Sequence, residues 1–327
     1  MKSTFRMLQC GILAVAWLLS GCNSDIFVDR FLSSEPSVSL SETENDVIVC
    51  FEADNWDILG IESLREGVAV SATDLEGKNS KYLPFEEGET GIVYCRNAFL
   101  DFRVEKRNGS ELHFISGENL YDQPFETLVR VGNCYEEKVI RVSFSPTRKY
   151  QIDSVAYDWS QFSSSDYMLE PIEQVEVNTL DASSPATVYF YPYKNSARIV
   201  EFYMEYGGWG GDEDDLRKLL GDAASQVEIP DIVNSAPGLH GTKASFCHLE
   251  QRLDAGLDKE LKVPKTVEPG KHVCLEVYNG IERYDVPYKA YLSNSLTGKK
   301  LEISGTLSSK KPFNYLIIPI AITDEDK

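Results

Sequence analysis

Apolar and polar positions alternate along most of the chain, in short runs. β-Branched and aromatic residues recur at every second position and are broken by glycine, proline, asparagine and aspartate, the pattern of half-buried strands. The alternation of Val139, Arg141 and Ser143 against Ile140, Val142 and Phe144 is the clearest case. One wet face and one dry face favour antiparallel sheets over a parallel sheet sealed between helices. The spacing predicts strands from Val47 through Phe144 and again from Ser154 through Ile320. Among the latter are His272–Tyr278, Tyr288–Ser293, Leu301–Leu307 and Tyr315–Ile320. Asn108-Gly109, between Phe102/Val104 and Leu112/Phe114, predicts a hairpin turn, because both residues tolerate positive φ. Leu75–Lys78 and Asn294–Lys299 predict two more turns.

One helix interrupts this pattern. Asp212 to Asp215 precede Leu216, Leu219, Leu220, Ala223 and Ala224, which fall on one helical face. Ser145-Pro146-Thr147-Arg148 breaks the strand series and marks a domain boundary. The expected fold is therefore all-β, with two Ig-like antiparallel β-sandwich domains in tandem at 46–147 and 148–327. The second is the larger and carries one short helical insertion. A further split near residue 255 is the alternative.

The chain has 327 residues, 42% of them hydrophobic, which is enough to bury a core in each domain. Asp and Glu number 52 against 32 Lys and Arg, a formal charge of −20. Such acidity argues against nucleic acid, whose phosphates are bound by clustered cations, and against electrostatic attachment to an anionic membrane.

The N-terminus changes the picture. Lys2 and Arg6 precede an apolar run, Met7 to Leu19, too short to span a bilayer comfortably. Leu19-Ser20-Gly21-Cys22 follows and resembles the bacterial lipobox. The resemblance implies a signal peptide at 1–21 and a diacylglyceryl group on Cys22 as the mature first residue. Residues 22–45, rich in Ser, Glu and Asp, read as an acylated flexible tether. Processing removes Lys2 and Arg6 and no acid, so 32 basic residues become 30 against 52 acids, a net of −22. The implied address is the outer membrane, with the acyl anchor as the membrane contact. Asn23-Ser24-Asp25 partly resembles the surface-export signal of Bacteroides-type lipoproteins, so cell-surface exposure is a further expectation.

A second resemblance lies at Phe125, Val129-Arg130-Val131-Gly132-Asn133-Cys134-Tyr135 and Lys138-Val139-Ile140-Arg141-Val142. This segment is similar to the last hairpin of Ig-like modules in Bacteroides-type lipoproteins, including BACON-type modules. It implies a β-sandwich and a non-catalytic role.

Candidate chemistry is sparse. Tyr206 and Trp209, the latter flanked on each side by two glycines, form a candidate aromatic platform for a sugar ring or a protein partner. The competing use of Trp209 is as a lid on the core. Asp212 and Asp214 are weak cation candidates. Helix N-terminal acids explain them without a metal, and the EF-hand pattern fails at Leu216 and Arg217. Beyond the signal peptide and Cys22, five cysteines remain, and Cys247–Cys274 is the pairing available in the second domain. Cys247-His248 with His272 and Cys274 also suggests zinc, but neighbouring strand residues point to opposite faces. No nucleophile elbow, zinc-protease helix, P-loop or dinucleotide motif is present. The expectation is a non-catalytic envelope protein, without cofactor, that binds a glycan or a surface protein. The alternatives are a structural or tip subunit of a fibre, resembling the lipoprotein fimbrillins with Tyr315–Ile320 as a donor strand, and a polysaccharide hydrolase.

Overall fold

A computed structural model describes residue 32 and residues 36–86, 88–133, 136–205, 213–222 and 225–322. The chain is all-β and divides into two compact units between Thr147 and Arg148. None of the described sheets closes into a barrel.

The first unit holds β1 (Ser37–Leu40), β2 (Asp46–Cys50), β3 (Asp57–Glu62), β4 (Ala69–Thr73), β5 (Ser80–Lys81), β6 (Gly91–Asn97), β7 (Leu100–Lys106), β8 (Glu111–Asn119), β9 (Phe125–Gly132) and β10 (Glu137–Phe144). They form a four-stranded sheet, β1-β10-β9-β3, and a six-stranded sheet, β2-β8-β7-β6-β4-β5. One core gathers the inward residues of both sheets, among them Phe102, Val104, Phe114, Phe125, Val129, Ile140 and Phe144. Each such side chain contributes roughly 1.5–3 kcal/mol by leaving water. Asn108-Gly109 connects β7 to β8 as expected, but neither residue takes the positive φ on which that expectation rested. Asn108 Oδ1 accepts from Ser110 N at 2.9 Å, and a Cβ at Gly109 would meet Asp54 Cβ at 2.6 Å, so this close approach requires glycine. Lys106 is buried but paired: Nζ donates to Trp56 O at 2.6 Å and to the Asp57 carboxylate.

Two details depart from the sequence reading. β1 lies within the stretch that composition assigns to the tether, because Val38 and Leu40, two positions apart, suffice to bury a short edge strand. β1 also pairs parallel to β10, so this sheet is not purely antiparallel. The whole unit separates the two strands in sequence, and a hairpin between them is excluded.

The second unit holds β11 (Gln151–Tyr157), β12 (Ser163–Asn178), β13 (Ala186–Phe190), β14 (Arg198–Met204), α1 (Glu213–Leu220), β15 (Gln226–Val233), β16 (Ala236–Ser245), β17 (Gln251–Leu253), β18 (Val263–Val267), β19 (His272–Ser293) and β20 (Lys300–Ala321). The main sheet runs β11-β19-β20-β14-β17, and β12 also pairs with β19. β13–β18 and β15–β16 are separate two-stranded sheets. β14 pairs with β20, so residues on both sides of position 255 share one sheet.

β19 and β20 are each 22 residues long, where the sequence pattern suggests two strands apiece. The reason is a change of buried face. In the first part of β19, odd-numbered Val273, Leu275 and Val277 pack with Phe190 of β13 and Val267 of β18. From Tyr284 onward the even-numbered residues are buried: Tyr284, Val286, Tyr288, Ala290 and Leu292. Successive strand residues face opposite ways, so the two halves of one strand bury opposite faces. The second core includes Phe202, Phe246 and Tyr288, whose ring centroids lie 5.0–5.7 Å apart. The almost fully buried Arg198 ties it to β15. Its guanidinium donates to Pro230 O at 2.6 Å and Tyr284 Oη at 2.7 Å, and lies 3.4 Å from Asp231.

Candidate functional site

The change of face leaves a gap. On the odd-numbered face of β19, the β13–β18 layer ends near Val277, while the second core forms on the other side. Asn279 and Ile281 fall between, and a cavity of about 450 Å³ opens over them. Its walls are Glu170–Ile172 of β12, the 195–197 turn, Ile199 of β14, Glu250 and Arg252 at β17, and Lys310 and Pro312 of β20. The 195–197 wall is held by a double turn in which Tyr193 O accepts from Ser196 N at 3.0 Å and Ser196 Oγ at 2.8 Å. Tyr193 packs edge-on against Tyr315 at 5.6 Å, and burial raises its hydroxyl above the ordinary tyrosine range. Next to Asn279, a Cβ at Gly280 would collide with the Asn314 side chain, so glycine lets β20 pass close by.

Asn279 is only 7% exposed, and its Oδ1 is buried without a hydrogen-bond partner among the described residues. An unpaired buried acceptor costs about 1–3 kcal/mol. An amide oxygen only accepts, so this group demands a donor: a hydroxyl, an amine or an N–H. The cavity has both signs of charge at its rim, Glu170 and Glu250 against Arg252 and Lys310. A second cavity, about 520 Å³, lies along β1, β9 and β10 of the first unit, and no lining side chain there holds a buried unpartnered polar atom.

The residues singled out in sequence do not assemble at this cavity. Cys22, Tyr206, Trp209 and Asp212 lie outside the described residues. Asp214 is in the first turn of α1, 3.0 Å from Arg217 and 3.7 Å from Lys218. No group of described residues is arranged to hold a metal ion.

Cys247 and Cys274 are buried free thiols, so the disulfide considered from the sequence is not formed. Phe246, adjacent to Cys247, packs on Tyr288 at 5.7 Å. Cys274 stands fourteen residues from Tyr288 on the same strand, about 45 Å along an extended chain, whereas bridged Cα atoms lie within about 7 Å. The same separation removes the four-ligand zinc arrangement. Burial raises the Cys247 thiol, and Gln174 Nε2 donates to Cys274 Sγ at 2.9 Å. Among the aromatics that stand exposed in the second unit is Trp159, 42% exposed, at the end of a ladder through Phe162 to buried Tyr284.

No family model matches the chain, and no curated protein is similar to it in sequence. Among solved structures, a lamprey immune protein is similar at 13% identity and TM-score 0.35, over 85% of this chain and 98% of that one. The Bacillus thuringiensis toxin parasporin-2, described as recognizing cancer cells, is similar at 10% identity and TM-score 0.25, over 52% and 73%. The β-pore-forming protein Mpp75Aa1.1 of Brevibacillus laterosporus is similar at 8% identity and TM-score 0.24, over 62% and 88%. Likenesses this slight carry no inference about function.

Proposed function

We propose that the chain is a non-catalytic, lipid-anchored envelope protein that binds a glycan in the cavity over Asn279. The observation that carries this reading is the buried, unpartnered Asn279 Oδ1 in a cavity of about 450 Å³ with a polar rim. Ligand pockets of about 300–1,000 Å³ with a few convergent polar groups suit small ligands. Saccharide hydroxyls supply the donors that Asn279 and the carboxylates accept. The anchor is the acylated Cys22, which holds an acidic body at the outer membrane where charge alone would not. More than one acyl chain makes such attachment stable.

The test is a glycan array with the mature full-length chain in detergent, comparing wild type with Asn279→Leu and Trp209→Ala. Retention lost in the first and kept in the second supports the cavity. The reverse places binding at Trp209 and removes the cavity. Cys22→Ala is expected to release the protein from membranes, and protease shaving of intact cells reads which face carries the body.

The fibre alternative is weakened by pairing. Residues Tyr315–Ile320 of β20 are hydrogen-bonded to Cys274–Asn279 of β19 within their own unit, so they are already spent as a strand. A hydrolase needs two carboxylates flanking a bond. Glu170 and Glu250 line the cavity, but both are exposed. A second reading, membrane insertion of refolded strands, is favoured by the 22-residue length of β19 and β20, against about 9–11 residues for a membrane strand. Pro312 and Pro319 break the even alternation such a strand needs. Dye release from lipid vesicles by the full chain, absent with the binding reading, separates the two.

A further inference from the structure

We infer that the ligand of this cavity is a saccharide carrying one anionic substituent, a carboxylate or a phosphate; this rests on the binding reading above and adds its charge. The register of the main sheet carries the argument. Ile199 pairs with Arg252 on one side and with Lys310 on the other, and Lys310 pairs with Arg283. Paired residues share a sheet face. Arg252, Lys310 and Arg283 therefore form a row across four strands, with Ile199 as its apolar step. Two of the three line the cavity.

Directly opposed like charges destabilise a sheet, and here Lys310 faces Arg283 in a chain of formal charge −20. The described partners only partly offset this. Asp285 takes Arg283 Nη2 at 3.2 Å, while Arg283 Nε is buried without a partner. Arg252 makes a long contact of 3.4 Å to Asn195 O. Lys310 has no ion pair among the described residues. The next row along the sheet is acidic, Glu201 and Asp285 flanking Ser308, so the cations form a narrow band rather than a broad basic patch.

The same cavity also holds acceptors: the buried Asn279 Oδ1, and Glu170 and Glu250. A ligand anionic along its whole length would meet these carboxylates. A neutral sugar would leave the cations unused. A ring with several hydroxyls and a single anion satisfies both kinds of group, the hydroxyls donating to the acceptors and the anion accepting from Arg252 and Lys310.

The experiment is calorimetric titration of the mature full chain in detergent with glucose, glucuronate, glucose 6-phosphate, inorganic phosphate and phosphoethanolamine. Glucuronate or glucose 6-phosphate is expected to bind about tenfold more tightly than glucose, the ratio one charge-assisted hydrogen bond supplies. The preference is expected to shrink in high salt and to vanish in Lys310→Ala, an exposed substitution whose fold is checked by circular dichroism. Equal binding of glucose and glucuronate, both lost in Asn279→Leu, overturns the anionic assignment and leaves the binding reading intact. Phosphate or phosphoethanolamine binding as tightly as the sugar phosphate overturns the saccharide part. No binding by any probe, with Asn279→Leu indistinguishable from wild type, overturns both.

Discussion

The two units solve the same packing problem differently. In the first, two sheets face each other over one continuous core, and the inward residues keep one parity along most strands, a bulge in β3 shifting Ile61 relative to Ile58. In the second, β19 buries its odd residues against β13–β18 and its even residues against the Phe202–Phe246–Tyr288 cluster. A sandwich with a constant inner face has little room for a polar site. A strand that changes its buried face must pass through a stretch where neither face is fully covered, and there the polar Asn279 is held nearly solvent-free over a cavity. In this chain the site follows from the packing, in the unit with two cores.

Large truncations sharpen that contrast most. Phe102→Ala is expected to cost about 3–5 kcal/mol and to lower only the melting transition of the first unit. Arg198→Ala is expected to cost about 3–5 kcal/mol in the second, because Asp231 then keeps Lys311, at 3.2 Å, as its ion partner and otherwise only the Ile232 N–H. Calorimetric scans of the full chain read both.

Coupling between substitutions is the next largest effect. Phe102 and Phe125 have ring centroids 5.9 Å apart in one core, so their alanine variants are expected to be non-additive by about 0.5–3 kcal/mol. Leu275→Ala and Val286→Ala lie on opposite faces of β19 and are expected to add within about 0.5 kcal/mol. Strong coupling of the second pair would mean that the two cores behave as one.

High pH is expected to separate the units as well. Burial holds the Tyr157, Tyr284 and Tyr288 hydroxyls protonated above the ordinary tyrosine value of 10.0. Their contribution is present in full below pH 10 and is lost as pH rises through the higher folded values. Among the described residues the first unit has one comparable group, Cys95, whose thiol burial pushes up to about 12 from 9.0. Scans at pH 8 and pH 10.5 are therefore expected to lower the second unit's transition further. At the small end, Asp214→Asn on α1 is expected to change stability by no more than about 0.5 kcal/mol, since it breaks only exposed pairs.

Local pattern made much of the fold legible. The 294–299 turn is readable because turn chemistry is local, Asn108-Gly109 marks its hairpin by position though without the positive φ expected of it, and α1 is readable because its leucines keep one period and its acids suit a helix start. β12 was only partly readable. Between Ser163 and Glu173 the side chains described are exposed on both faces, so no alternation marks the stretch, and it contains Pro171. β19 reads as two strands because the parity of its buried residues flips, and a period-two pattern with a phase slip looks like an ending and a new start. The candidate site was hidden for the same reason. The slip falls between Ile281 and Tyr284, just after Asn279-Gly280, a pair that elsewhere signals a turn, and Arg252 and Lys310 join the site through pairings made at long range. An Asn-Gly inside a strand-length apolar run, with no turn after it, was the one local clue.

Asn279 also gives the most direct test that the cavity over it binds ligand. The measurement is the side-chain amide resonance of Asn279 in isotope-labelled full-length protein, titrated with an acidic saccharide, together with the melting point of Asn279→Leu. Saturable movement of that resonance is predicted, with a variant that loses the ligand yet melts within about 1 kcal/mol of wild type, because it gives up an unpaired acceptor rather than a bond. A resonance that stays still while the ligand binds elsewhere, or a variant that unfolds, would contradict the account.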